Sequence, residues 1–201
     1  MATLTLPSTP GFTRVSWGLL ANTQVGESPL TKSVQTFNLT GARWVGTFSL
    51  PPMKVADAGA WMGILAQLEG RSGRFYGSPP NKTPQGAAGG TPLVNGASQT
   101  GTSLITDGWP NSTLVLKAGD YIELANGELK MITVDATSNG SGQVTLSISP
   151  AIRTSPANNS AITTTNVKCT MMLTADDAGR WDRDHRRLYD VSFSGVEVWE
   201  S

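Results

Sequence analysis

Asn126-Gly127 lies between two runs of alternating apolar residues and constrains the fold more than any other feature of the chain. Asn-Gly readily takes the two positive φ angles of a type I′ hairpin turn, so the pair predicts a two-residue loop joining antiparallel strands. In that register Ile122 and Leu124 stand opposite Met131 and Leu129, Glu123 meets Lys130, and Tyr121 meets Ile132. One face is then apolar and the other carries an opposite-charge pair. Leu114, Val115 and Leu116 enter through the turn Lys117-Ala118-Gly119-Asp120. After Asn139-Gly140-Ser141-Gly142, the residues Val144, Leu146 and Ile148 alternate with Thr145, Ser147 and Ser149. The stretch from Leu114 to Ile148 therefore predicts a three-stranded meander belonging to a small β-barrel or sandwich.

A chain of 201 residues holds one domain or two small ones. Lys plus Arg and Asp plus Glu each number 15, so no long-range field of one sign points to nucleic acid or an anionic membrane. The 22 glycines, 12 prolines and 15% charged residues favour a turn-rich β protein with neutral surfaces, suited to permanent assembly. One cysteine, Cys169, rules out an internal disulfide and a Cys-rich zinc site; its apolar neighbours predict a buried thiol. No basic-then-apolar leader and no run of about 18 apolar residues is present, so the expected product is soluble and made in the cytoplasm.

Phe12 to Leu20 reads as a first strand, and Ser33–Leu39 with Arg43–Leu50 as a hairpin turning at Thr40-Gly41. Trp17 and Trp44 are expected anchors. Trp44, Gly46, Phe48 and Leu50 share one parity, with glycine where another backbone can approach. Pro51-Pro52 ends the strand. Ala58, Trp61, Met62, Leu65 and Leu68 then recur at helical spacing, predicting one helix over Asp57–Glu69, capped by Asp57 and closed by Gly70. Gly77 to Gly101, rich in proline and glycine, reads as an irregular domain boundary, and Thr154 to Thr165 as a second. Two linkers around a β unit predict an insertion: residues 1–85 and 165–201 as the host, 86–164 as the insert. Val167–Ala175 and Arg187–Trp199 supply the last host strands, with a bulge expected at Ser194-Gly195 to restore one apolar face.

The residue types that do chemistry cluster once, from Asp176 to Arg187. Asp182, Asp184 and His185 are metal-ligand types, but arginines interleave with the carboxylates and neutralise them, and no spaced partner motif accompanies them. His185 is the sole histidine, without a Gly-x-Ser-x-Gly elbow, and Gly86–Gly90 lacks the Gly-Lys-Ser/Thr ending of a phosphate loop. The expectation is no catalytic or metal site and no cofactor. Asp176, Asp177, Arg180, Trp181, Asp182, Arg183, Asp184 and Arg186 are instead the candidate subunit interface, where neighbouring copies can pair reciprocally.

Ser28-Pro29-Leu30 with Val34-Gln35-Thr36, Gly41-Ala42-Arg43-Trp44, Leu50-Pro51-Pro52, Ala60-Trp61 and Gly70-Arg71-Ser72-Gly73-Arg74-Phe75 form a recognisable series. It continues through Val94-Asn95-Gly96-Ala97 with Gln99-Thr100-Gly101, Gly108-Trp109, Lys117-Ala118-Gly119-Asp120-Tyr121 and Val191-Ser192-Phe193. Across nearly the whole chain it resembles the distal tail proteins of long-tailed bacteriophages. The resemblance implies a β-sandwich belt domain with one helix packed on its sheet, carrying an inserted barrel of oligonucleotide/oligosaccharide-binding type. It also implies a structural virion protein: a closed, six-membered ring in the tail tip, made in the host cytoplasm, joining the tail tube protein to baseplate hub and tail fibre proteins. No catalytic residue, nucleic-acid specificity or membrane span comes with it. Two other readings stand beside it. A carbohydrate-binding tail-tip module is suggested by six tryptophans and a barrel-like insert, and would need an exposed tryptophan such as Trp109 on that insert. A cell-wall hydrolase would need a paired acid and base that the sequence does not offer.

Overall fold

The computed structural model describes residues 2–199. In chain order the first part comprises β1 (Thr3–Leu4), β2 (Arg14–Leu20), β3 (Thr23–Glu27), β4 (Val34–Asn38), β5 (Arg43–Ser49), α1 (Val55–Gln67), a 3-10 turn at Gly70–Ser72 and β6 (Arg74–Gly77). Next come β7 (Leu93–Val94), β8 (Gly101–Asp107), β9 (Leu114–Leu116), β10 (Tyr121–Leu124), β11 (Leu129–Ile132), β12 (Ala136–Thr137), β13 (Val144–Ile152) and β14 (Ile162–Thr163). The chain closes with β15 (Cys169–Leu173), β16 (Trp181–Arg183) and β17 (Tyr189–Glu197). The protein is mainly β, a sheet-based host with one helix and a barrel-like insert. One sheet runs β1-β6-β15-β17-β5-β2 with β16 beside β17; the other runs β14-β10-β11-β13-β8-β7. The last strand pairs with β5 and β15 and leaves the meander alone.

Alternation builds the first core. Trp44 and Phe48 on β5, Phe75 on β6, Met171 on β15 and Val191 and Phe193 on β17 all point to one face. Ala58, Trp61, Leu65 and Leu68 of α1 cover them, the stripe expected from the sequence. Phe48 and Phe193 stack at 5.2 Å, and Phe12 and Trp61 close the cluster at 5.3 Å. The helix starts two residues earlier than expected, at Val55, with extended Lys54 before it and no side-chain cap; Asp57 lies in the first turn, where a carboxylate favours the helix dipole. It also ends earlier, at Gln67, because Glu69 itself turns left-handed (φ 49°) ahead of Gly70.

Three expectations about the host sheet are corrected. The segment 33–39 pairs with β3, not with β5, so that β2 through β5 form one long hairpin. Gly46 receives the Trp17 ring, not a backbone: a Cβ there would sit 2.9 Å from Trp17 Cε3. The β17–β5 register runs without a shift from Ser192 to Val196, so no bulge is present. Gly195 and Glu197 simply continue the inner face of Phe193, with the Phe75 ring over Gly195 and the Glu197 carboxylate engaged by Arg153.

The Asn126-Gly127 hairpin is offset by one residue. Tyr121 pairs with Met131, Ile122 with Lys130 and Glu123 with Leu129, because the loop has three residues, closed by Gly127 at φ 82° behind a Gly127 N–H bond to Leu124 O. This is the bulged alternative to the two-residue turn. Gly77–Gly101 is also more ordered than expected. Buried Asp120 accepts the N–H groups of Gln85, Gly86 and Lys117, and Leu93–Val94 pairs with β8.

Candidate assembly surface

The distal half of the long hairpin, β3 with β4, is exposed at every strand residue. Val25 and Val34 lie on one face and Phe37 on the other, exposed by 60, 57 and 58%. An isolated two-stranded ribbon is marginal in water, so apolar residues on both of its faces mark a surface meant to be covered. Its root continues directly into β2, whose seven residues end the sheet; among the described residues nothing pairs with the outer edge of β2. That edge carries no proline, bulge or inward charge, the usual protections.

The opposite flank is formed by β16, which pairs only with β17. Here the structure places the charged run. Asp176 ties the run to the 3-10 turn after α1, accepting the Arg71 N–H at 3.1 Å, and Asp184 closes a turn by accepting Leu188 N–H at 2.8 Å. Asp177 and Arg180 pair at 2.7 Å but are too exposed to add much stability. Arg183 lies 5.6 Å over the Tyr189 ring. The side chains of Trp181, Asp182 and Arg186 are exposed and make no hydrogen bond or ion pair among the described residues. The eight candidate residues therefore share one flank, but they do not converge on a point. Among the described residues, no group of three His, Cys, Asp or Glu side chains is arranged to hold a metal ion. Cys169 is buried, and desolvation pushes its thiol well above the usual range.

A third feature sets how the insert sits. Leu129 belongs to the host core, with Tyr121 and Met131 packed against it; Trp44 donates its indole N–H to Leu129 O at 2.9 Å and meets the Tyr121 ring at 5.5 Å. Beside this apolar contact lies a buried ionic seam. Arg153 donates to both oxygens of Glu197, at 3.0 and 2.7 Å, and to Ala42 O at 2.7 Å, and Glu197 also accepts Trp44 N–H. The guanidinium stacks 3.9 Å above Trp199. One strand away, fully buried Lys130 reaches Glu128 at 2.6 Å and Ala151 O at 2.8 Å. Burial alone would raise the Glu128 pKa, but the Lys130 ammonium and the N–H groups of Arg153 and Thr154 outweigh it and leave the carboxyl below its ordinary value. Sequence reasoning missed this seam. The signal available was Glu197, a lone carboxylate between two valines, with nothing to name its partner 44 residues away.

Trp109, the residue on which a sugar-stacking insert would rest, is 4% exposed and donates its N–H to Thr106 Oγ1. No helix among the described residues is long and apolar enough to cross a membrane. No family model matches the chain, and neither does any curated protein.

Proposed function

We propose that the protein is a structural ring subunit of a phage tail tip, joining the tail tube to the hub and fibres, with no catalytic role of its own. The long hairpin carries the reading: its base leaves β2 as an unprotected sheet edge and its distal half buries nothing within its own chain. A closed ring needs a heterologous contact, in which one surface meets a different surface of the next copy, and closure removes open edges. The β2 flank and the β16 flank are two such unlike surfaces on opposite sides of one sheet. Residues 86–164, as an inserted unit cemented onto the helix-bearing side, face outward toward the other tail components. The distal tail resemblance agrees with this arrangement. The test is the solution mass of the chain by light scattering across concentration, with and without residues 23–38 replaced by a short Gly-Ser link. Association that depends on the hairpin supports the reading. A full-length oligomer that persists without the hairpin removes its carrying observation.

A further inference from the structure

Trp181 is an indole placed for exposure. It stands opposite Val191, on the sheet face that carries the core, yet 42% of it remains exposed because β16 is the last strand on its flank. At the other flank, on the same face, a cleft of about 520 Å³ opens between the root of the hairpin and the insert. Leu19, Leu39, Ala42, Pro150, Ile152 and Trp199 line it, an apolar pocket with room for an aromatic ring. Leu19 pairs with Trp44, which fixes the cleft on the core-bearing side.

The reverse face is complementary in charge. Asp182 and Asp190 lie directly opposite one another across β16 and β17, a like-charge pair that costs stability when nothing offsets it, and neither has a cation partner among the described residues. Arg43, paired with Leu20, lies on that same reverse face beside the cleft and has no carboxylate partner among the described residues; Arg14 shares the face but stands six positions farther along the strands. One flank thus offers an aromatic knob with two acids behind it; the other offers an apolar hole with an arginine behind it.

We infer that Trp181 of one copy seats in the Leu39–Trp199 cleft of the next, with Asp182 facing Arg43 across the joint. This rests on the ring reading and names its contact. The stagger agrees with a closed ring. Extending the strand registers places Trp181 level with Thr13, six positions before Leu19. At about 3.3 Å per residue that is about 20 Å along the strands, taken up over the four inter-strand steps of one repeat, about 19 Å at 4.8 Å each. The implied strand tilt is about 45°, at the upper end of the typical range for closed barrels.

The test uses the full chain in assembled particles. Native Cys169 is buried, so the double variant Trp181→Cys, Leu39→Cys presents two reactive thiols at the joint. Oxidation is expected to give a ladder of cross-linked copies that ends at the ring, and neither single variant gives one. In solution, Trp181→Ala should weaken self-association at least about twentyfold, as a central aromatic anchor does, with the melting temperature of the dilute, unassociated chain unchanged. Asp182→Arg should weaken it too, and Arg43→Asp in the same chain should restore it. A ring that assembles without the ladder, or a Trp181→Ala chain that associates normally, overturns this contact and leaves the ring reading standing. Cross-linking of Trp181→Cys to a different tail protein also overturns it. A particle in which the chain forms no ring removes both.

Discussion

Replacing Glu197 with alanine isolates the seam between the two sheets. Its side chain is 3% exposed and satisfies three donors, two from Arg153 and one from the Trp44 backbone. Without it the Arg153 guanidinium, 12% exposed, keeps only Ala42 O and the Trp199 ring. Breaking a buried ion pair by removing one partner costs about 3–5 kcal/mol, because the survivor is left desolvated and unpaired. For a domain of this size each kcal/mol moves the melting temperature by about 2–4 °C, so a drop of about 6–20 °C is expected. Urea unfolding followed by tryptophan fluorescence gives the free energy directly, with an unchanged m value showing that the extent of unfolding is the same. Arg153→Met with Glu197→Leu should recover most of the loss, since an apolar pair leaves no charge behind. A loss below about 1 kcal/mol, the level of exposed pairs, would show that water reaches the seam and that the insert is not cemented to the host.

Three further outcomes follow from particular contacts. Because Glu128 ionises below its ordinary pKa in the folded state, its contribution is present above about 4.5 and is lost as pH falls through the lowered value; Glu128→Gln should remove that part of the acid slope in urea midpoints. Glu123 has the opposite sign: burial raises its pKa against the pull of the Lys168 N–H and ammonium, so its effect on stability turns unfavourable as pH rises from about 4.5 through the raised value, and Glu123→Gln should flatten that fall. Gly195→Ala would set a methyl 2.6 Å from Phe75 Cζ and should cost about 1–3 kcal/mol of stability, measurable by the same unfolding titration.

The helix stripe was legible because it has a single period and a single buried face, and the meander strands were legible from their period of two. The register of the 121–132 hairpin was not, because it is buried on both sides: Ile122, Lys130 and Ile132 face the barrel interior while Tyr121, Leu129 and Met131 face the host. A one-residue slip swaps those faces, and alternation chooses between them only when one is wet. Lys130 was read as the cross-strand partner of Glu123; it pairs instead with Glu128, two positions away on the same face, which makes its burial tolerable. Strand β8 went unnoticed because Gly101–Asp107 has only Leu104 and Thr106 pointing inward, and a threonine does not register as apolar. The projecting hairpin was misread because its strands bury nothing in this chain, which leaves no pattern to find. The charged run was legible as one exposed stretch, but only the topology shows that Asp182 and Arg43 lie on the same face of the sheet, at its two flanks.

Cryo-electron microscopy of the intact particle, with this chain located in the map, tests the central claim most directly. The account predicts a closed ring of copies at the distal end of the tail tube, with the hairpin of each copy covered by its neighbour and residues 86–164 on the outer side. Density for the chain in the capsid shell, or particles that lack it altogether, would contradict the account.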